Sequence, residues 1–199
     1  RLIEIVKLLL NDDRVDVNKT NKNGGFPFLI ACCQGHIEIA KLLLNDERVD
    51  VNKANNDGQT SFYYACVLGH IEIVKLLLND KRVDVNQAQN QGATSFLIAC
   101  QNGHTEIVKL LFNDARVDIN KANNDGTTPF LVACEKGYIE IVKILLIDER
   151  VDVNKSTNDG WTPFNIACGN GDIEIVKLLL TYKRVDVNQA QNQGATSFL

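Results

Sequence analysis

The chain has 199 residues, 45% of them hydrophobic and 23% charged, with a formal net charge of −4 and a pI near 5.4. That balance excludes a general nucleic-acid binder, which shows a basic face and a pI above about 9. No apolar run approaches the roughly 18 residues needed to cross a bilayer, so no membrane span is expected.

One phrase recurs every 34 residues: at Gly24, Gly58, Gly92, Gly126, Gly160 and Gly194, at Ala31, Ala65, Ala99, Ala133 and Ala167, and at the Arg-Val-Asp triplets that begin at Arg14, Arg48, Arg82, Arg116, Arg150 and Arg184. Self-similarity of this kind denotes a stacked array in which each repeat meets its neighbours, not a globule around one pocket. Residues 1–199 are therefore expected to be a single array, with a partial repeat over 1–23, full repeats over 24–57, 58–91, 92–125, 126–159 and 160–193, and a partial repeat over 194–199.

In chain order, Arg1 to Leu10 reads as a second helix without its first. The repeat from Gly24 has Pro27 at the first position of its leading helix, where a missing N–H costs nothing. In the repeat from Gly58, Thr60 offers an N-cap hydroxyl, a first helix runs from about Ser61 to Leu68, and Gly69 stops it. Over Ile71–Asn79 the polar residues Glu72, Lys75 and Asn79 are spaced three and four apart, which predicts a helix with one wet stripe. Val83-Asp84-Val85 alternates like a short extended segment, and the turn dipeptides Asn23-Gly24, Asp57-Gly58, Asp125-Gly126 and Asp159-Gly160 predict hairpin-like fingers. Later repeats restate this with caps at Thr94, Thr128 and Thr162, prolines at Pro129 and Pro163, and stops at Gly103, Gly137 and Gly171. Thr196 to Leu199 starts another first helix. Exposed apolar residues are expected at Ile3, Val6 and Leu9 and at Phe198 and Leu199, and as halves of one repeat they predict head-to-tail self-association.

Cys32, Cys66, Cys100, Cys134 and Cys168 share one repeat position. Stacked helices lie about 8 to 10 Å apart and a disulfide needs Cα atoms within about 7 Å, so these are expected to be buried, reduced thiols. They lack the paired spacing of a zinc site. A reducing compartment, cytoplasm or nucleus, follows, and Cys33, alone in its column, is expected to be the accessible thiol. His36, His70 and His104 recur where the second helix begins, a structural placement. Glu38, Glu72, Glu106, Glu140 and Glu174 precede Lys41, Lys75, Lys109, Lys143 and Lys177 by three residues and predict exposed ion-paired stripes. The column of Arg48, Arg82, Arg116 and Arg150 runs beside Asp50, Asp84, Asp118 and Asp152, a structural pairing with ligand binding as the lesser alternative. No phosphate loop, nucleophile elbow or paired-carboxylate site is visible. No catalytic residue, cofactor or metal is expected, and the chain reads as a non-enzyme.

Gly126-Thr127-Thr128-Pro129-Phe130-Leu131-Val132-Ala133, then Gly137-Tyr138-Ile139-Glu140-Ile141-Val142 and Val151-Asp152-Val153-Asn154, resembles the ankyrin repeat, and the likeness covers the whole chain. Tetratricopeptide repeats share the period but lack the Thr-Pro helix start, the Asp-Val-Asn finger and the Asp-Gly turn. The resemblance implies an all-α repeat solenoid with short hairpin fingers, an ankyrin-like helix-turn-helix stack. Two features depart from the family. The repeat is one residue longer than the usual ~33, the addition falling within Asn45–Asp50, and the family's Thr-Pro-Leu-His loses its His to Leu29, Tyr63, Leu97, Leu131 and Asn165. That loss is expected to shift cohesion between repeats toward apolar contact. Asn52, Asn86, Asn120, Asn154 and Asn188 resemble the finger asparagines that asparaginyl hydroxylases modify in such arrays, with closure of the turn by the side chain as the simpler role.

In the family, partners commonly lie on a concave surface formed by finger tips and the open side of the first helices. Carried over by position, that surface holds Lys22, Asn23, Gly25, Cys33 and Gln34, then Asn56, Asp57, Gln59, Val67 and Leu68, then Asn90, Gln91, Ala93, Gln101 and Asn102, then Asn124, Asp125, Thr127, Glu135 and Lys136, and finally Asn158, Asp159, Trp161, Gly169 and Asn170. Trp161 is the only Trp and replaces Gly25, Gln59, Ala93, Thr127 and Ala195 of the other repeats. It is either an interface anchor or a side chain packed across the next finger. Val67 and Leu68 form a second candidate, with partial burial against a neighbouring first helix as the alternative. The expected function is a protein–protein interaction module that binds a protein or peptide without catalysis. The alternatives are a structural spacer or the non-catalytic arm of a larger enzyme.

Overall fold

The structure, a computed structural model, describes residues 1–189. The chain divides into two compact units, residues 1–90 and 91–199.

The first unit holds α1 (Leu2–Leu10), α2 (Pro27–Cys33), α3 (Ile37–Leu44), α4 (Ser61–Val67) and α5 (Ile71–Leu78). Its first helices pack side by side, α2 on α4, and its second helices follow suit, α1 on α3 and α3 on α5. In the second unit, α6 (Ser95–Gln101), α8 (Pro129–Glu135) and α10 (Pro163–Asn170) form one row, and α7 (Thr105–Phe112), α9 (Ile139–Leu146) and α11 (Ile173–Leu180) form the other.

The first helices α4, α6, α8 and α10 start where a capping hydroxyl stands. Thr60 Oγ1 accepts from the Tyr63 N–H at 3.1 Å, and Thr94, Thr128 and Thr162 do the same for Leu97, Asn165's equivalent Leu131, and Asn165 itself. Such a cap stabilises a helix by about 1 kcal/mol. In α2 the capping position is Phe26, and Pro27 at the first helical position supplies the start instead. At the other end of α10, Gly171 takes φ +72°, a left-handed turn that costs glycine nothing.

The core runs between the two rows. Phe28, Phe62, Phe96 and Phe130 of the first helices are fully buried, as are Val74 and Leu77 of α5, Val108 and Leu111 of α7, and Val142 and Leu145 of α9. Each such side chain stabilises the fold by roughly 1.5–3 kcal/mol. The opposite stripe is wet, where Glu38–Lys41, Glu72–Lys75, Glu106–Lys109 and Glu140–Lys143 pair at 2.8, 2.7, 2.6 and 2.7 Å. None of α1 is buried. Ile3 and Leu9 are exposed, Val6 is half-buried, and a groove of about 200 Å³ lies between α1 and residues of α2 and α3, including Pro27, Ile30 and Leu43. Thr196, Phe198 and Leu199 lie outside the described residues.

The extended segment expected at Val83-Asp84-Val85 is instead a pair of turns, with the Val83 N–H on Asp80 O at 3.2 Å and the Gln87 N–H on Asp84 O at 3.4 Å. Val83 and Val85 are buried and Asp84 is exposed, so the alternation reports burial and not a strand. Fingers close with main-chain bonds, Asn55 N–H to Gln59 O and Gly58 N–H to Asn55 O at 3.0 Å each in the first unit, and Asn123 N–H to Thr127 O and Gly126 N–H to Asn123 O at 3.0 Å each in the second. Asn55 Oδ1 completes its finger by accepting from the amides of Asp57 and Gln59.

Candidate protein-interaction surface

Much of the polar surface holds neighbouring repeats together. The arginine column pairs backwards, not with the aspartates expected: Arg48 Nε and Nη2 fork onto Asp46 at 3.0 and 2.6 Å, and Arg82, Arg116 and Arg150 fork onto Asp80, Asp114 and Asp148. The physical reason is a local turn. Asp46 Oδ1 accepts the Arg48 backbone N–H at 3.0 Å, which turns the arginine back over the carboxylate and leaves Asp50 to the following turn. These guanidinium bonds hold Asp46, Asp80, Asp114 and Asp148 below the ordinary carboxylate range and raise the arginines. From that fork Arg48 Nη2 also donates to Leu10 O at 2.7 Å and Arg82 Nη2 to Leu44 O at 2.6 Å, in the repeat before. In the second unit Arg184 reaches Leu146 O at 2.6 Å, while Arg150 lies 5.3 Å from the Phe112 ring centroid, within cation–π range.

The finger asparagines are likewise not local turn closers. Asn52 Nδ2 donates to Arg82 O at 2.7 Å while its Oδ1 accepts the Asp84 N–H at 2.8 Å, so one amide spans two repeats. Asn18 does this in the first unit, and Asn120 and Asn154 in the second. Cohesion lost with the family's His is therefore supplied by hydrogen bonds as well as by apolar contact. His70 adds another tie from its helix-start position, its Nε2 lying 3.0 Å from Cys33 O.

Tip residues read as recognition groups also carry such bonds. Asn90 N–H donates to Asp57 O at 3.0 Å and its Nδ2 to Asn56 O at 3.1 Å. In the second unit the Asn124 N–H meets Gln91 O at 2.9 Å, and Asn158 donates to Asp125 O and Asn124 O at 2.9 Å each. The side chains of Asn56, Asp57 and Asn90 remain exposed, as does Leu68 at the end of α4, whereas Gln59 and Val67 are half-buried. Gln91, Asn102, Asn124, Asp125, Glu135 and Lys136 are exposed and Gln101 is half-buried. Lys136 Nζ pairs with Glu135 Oε1 at 2.8 Å.

The thiols divide differently from the column. Cys32, Cys66, Cys100 and Cys134 are buried, but Cys168 is only half-buried, and so is Cys33, which is not the open thiol expected. Burial pushes Cys32 up to about 12 and Cys33 up to about 11, and it raises Cys100, Cys134 and Cys168.

One cleft gathers several candidates. It measures about 460 Å³ and is lined by Asp125, Thr127, Leu131, Glu135, Thr157, Asp159, Trp161, Ile166, Gly169 and Asn170. Trp161 is 42% exposed, open enough for an anchor; the next finger, its alternative packing partner, lies outside the described residues. Glu135 is fixed from across the cleft, since Asn170 Nδ2 donates to Glu135 O at 2.9 Å. The candidate set omitted Thr157, Leu131 and Ile166. Thr157 had a readable signal, because the other repeats hold Asn21, Asn55, Gln89 and Asn123 at its position. No group of three or more His, Cys, Asp or Glu able to hold a metal ion occurs among the described residues. No helix there is long and apolar enough to cross a membrane.

The family model for ankyrin repeats (3 copies) matches residues 1–89, 81–157 and 145–198, so the chain belongs to the ankyrin-repeat family. No curated protein matches the chain. Ankyrin repeats are in general protein–protein interaction modules, and the family is typically non-catalytic.

Proposed function

We propose that the chain is a binding module that takes a protein or peptide segment on the finger and first-helix surface, with the cleft at Trp161 as its principal contact point and no chemistry done on the bound segment. The observation that carries this is a convergence. Thr157 and Trp161 are the sole Thr and Trp at their repeat positions, Glu135 and Gly169 share a third position that differs in every repeat, and all four residues line the same cleft. Gly169 replaces Cys33, Val67, Gln101 and Glu135, and a Cβ there would meet nothing within 4 Å, so its change opens space. A half-open indole beside such space is the kind of anchor that dominates interfaces. The six free thiols fit a reducing compartment, cytoplasm or nucleus.

Panning a displayed library of random dodecapeptides against the chain tests the reading. Peptides that bind the wild type and lose binding to Trp161→Ala support it. Enrichment that ignores Trp161→Ala, or no enrichment, supports a spacer instead.

A further inference from the structure

We infer that the Trp161 cleft is built for a cationic side chain of the partner, an arginine laid on the indole with its guanidinium toward the carboxylates of Asp125, Glu135 and Asp159. The inference rests on the binding role proposed above and adds the chemistry of what is bound. Three acidic residues line the cleft and no lysine or arginine does. Asp125 and Asp159 make no ion pair among the described residues, and the one ion pair of Glu135 there is with Lys136, an exposed pair of small worth that solvent and a ligand can replace.

This charge is local to the cleft. Three repeats earlier, the positions that correspond to Asp125, Glu135 and Asp159 are Asn23, Cys33 and Asp57, a single carboxylate in place of three. The same departures that bring in Trp161 and remove a side chain at Gly169 therefore bring in negative charge. Leu131, Ile166 and the indole offer an apolar wall for an aliphatic stem, and the acidic rim sits where the charged head of such a chain emerges. Arginine fits better than lysine, because a planar guanidinium stacks on an aromatic face and forks onto carboxylates, whereas an ammonium is a strongly hydrated point charge.

The probes are tryptophan-free synthetic dodecapeptides from the panning experiment, each made with arginine and with neutral, isosteric citrulline. Trp161 is the chain's only tryptophan, so its fluorescence reads occupancy of this cleft directly. Citrulline is expected to weaken binding by about tenfold or more to the wild type. The same exchange is expected to matter only about twofold against a Glu135→Gln, Asp159→Asn double variant, with arginine binding falling as salt rises. Trp161-dependent peptides that lack a cation, or that bind equally well as citrulline forms, overturn the inference and leave the binding module intact. A consistent preference for lysine overturns the guanidinium assignment. Failure to select any Trp161-dependent peptide removes the binding role and this inference together.

Discussion

Arg82 reaches back 38 residues to Leu44, its Nη2 donating to the leucine carbonyl oxygen at 2.6 Å and closing the end of α3 from the following repeat. The same nitrogen lies 2.6 Å from Asp80 Oδ2, so the carboxylate holds the guanidinium in place for its distant acceptor. Helix ends leave carbonyls without partners, and here a side chain from elsewhere in the stack supplies one. Arg82→Lys keeps the charge and loses the fork. It is expected to lower stability by about 1 kcal/mol, read as a lower urea midpoint with an unchanged slope.

The fork also sets a pH dependence. Asp46, Asp80, Asp114 and Asp148 are held below their ordinary value of 3.8 by arginine. A depressed carboxylate stabilises the fold above its unfolded value, and that contribution disappears as pH falls through the lower, folded one. The melting temperature should therefore decline on acidification below about pH 4. Asp80→Asn should start lower at neutral pH and decline less steeply. Melting curves across the acid range that are parallel for the two proteins would contradict the pairing.

Asn52 makes two bonds to the next repeat, and two substitutions tell them apart. Asn52→Ala loses both bonds and should cost about 1–2 kcal/mol, with faster hydrogen exchange at the Asp84 amide. Asn52→Asp retains an acceptor for that amide but cannot donate to Arg82 O. Its Asp84 amide should stay more protected than in the alanine variant, although the protein is destabilised.

Gly103 and Gly171 separate strain from crowding. Both have positive φ, +73° and +72°, but a Cβ on Gly103 would lie 2.8 Å from Tyr138 Cζ, whereas one on Gly171 would meet nothing within 4 Å. Each Gly→Ala change should cost about 1 kcal/mol or more through the backbone, and Gly103→Ala should cost more than Gly171→Ala. Adding Tyr138→Ala to Gly103→Ala should recover part of the difference in chemical denaturation.

Thiol reactivity should follow burial and not the repeat column. Cys33 and Cys168 are half-buried, the other four thiols are buried, and a thiol at about 11 is a thiolate in roughly one molecule per thousand at pH 8. Native labelling should thus be slow at every site, fastest at Cys33 and Cys168, and should accelerate with pH. Mass mapping of early products checks the order; early modification of Cys100 or Cys134 would contradict the core.

The features readable from sequence are those whose cause lies within a few residues. Thr60, Thr94, Thr128 and Thr162 cap their own helices and the Glu–Lys pairs sit on one face, as spacing and composition imply. Arg48 was less legible because Asp46 and Asp50 are each two residues away, and only the turn at Asp46 decides between them. Val83-Asp84-Val85 has the same inside–outside pattern whether it is a strand or two turns. The bonds of Asn52 depend on residues in the next repeat, and the open space at Gly169 depends on what surrounds it, which spacing along a chain does not convey.

The bonds of Asn52 to Arg82 and Asp84 span 30 and 32 residues, and those of Arg82 and Arg184 to leucine carbonyls span 38. Asn120 meets Arg150 and Asp152 at the same separations. Inserting or deleting one residue between such partners would move donors off their acceptors throughout a junction. Gain or loss of a complete 34-residue segment would instead reconnect matching groups at the new boundary. The gene for this chain can therefore lengthen or shorten in whole-repeat steps far more readily than by single codons. The identity of Lys81–Leu97 with Lys183–Leu199 has the form that copying of intact segments leaves behind.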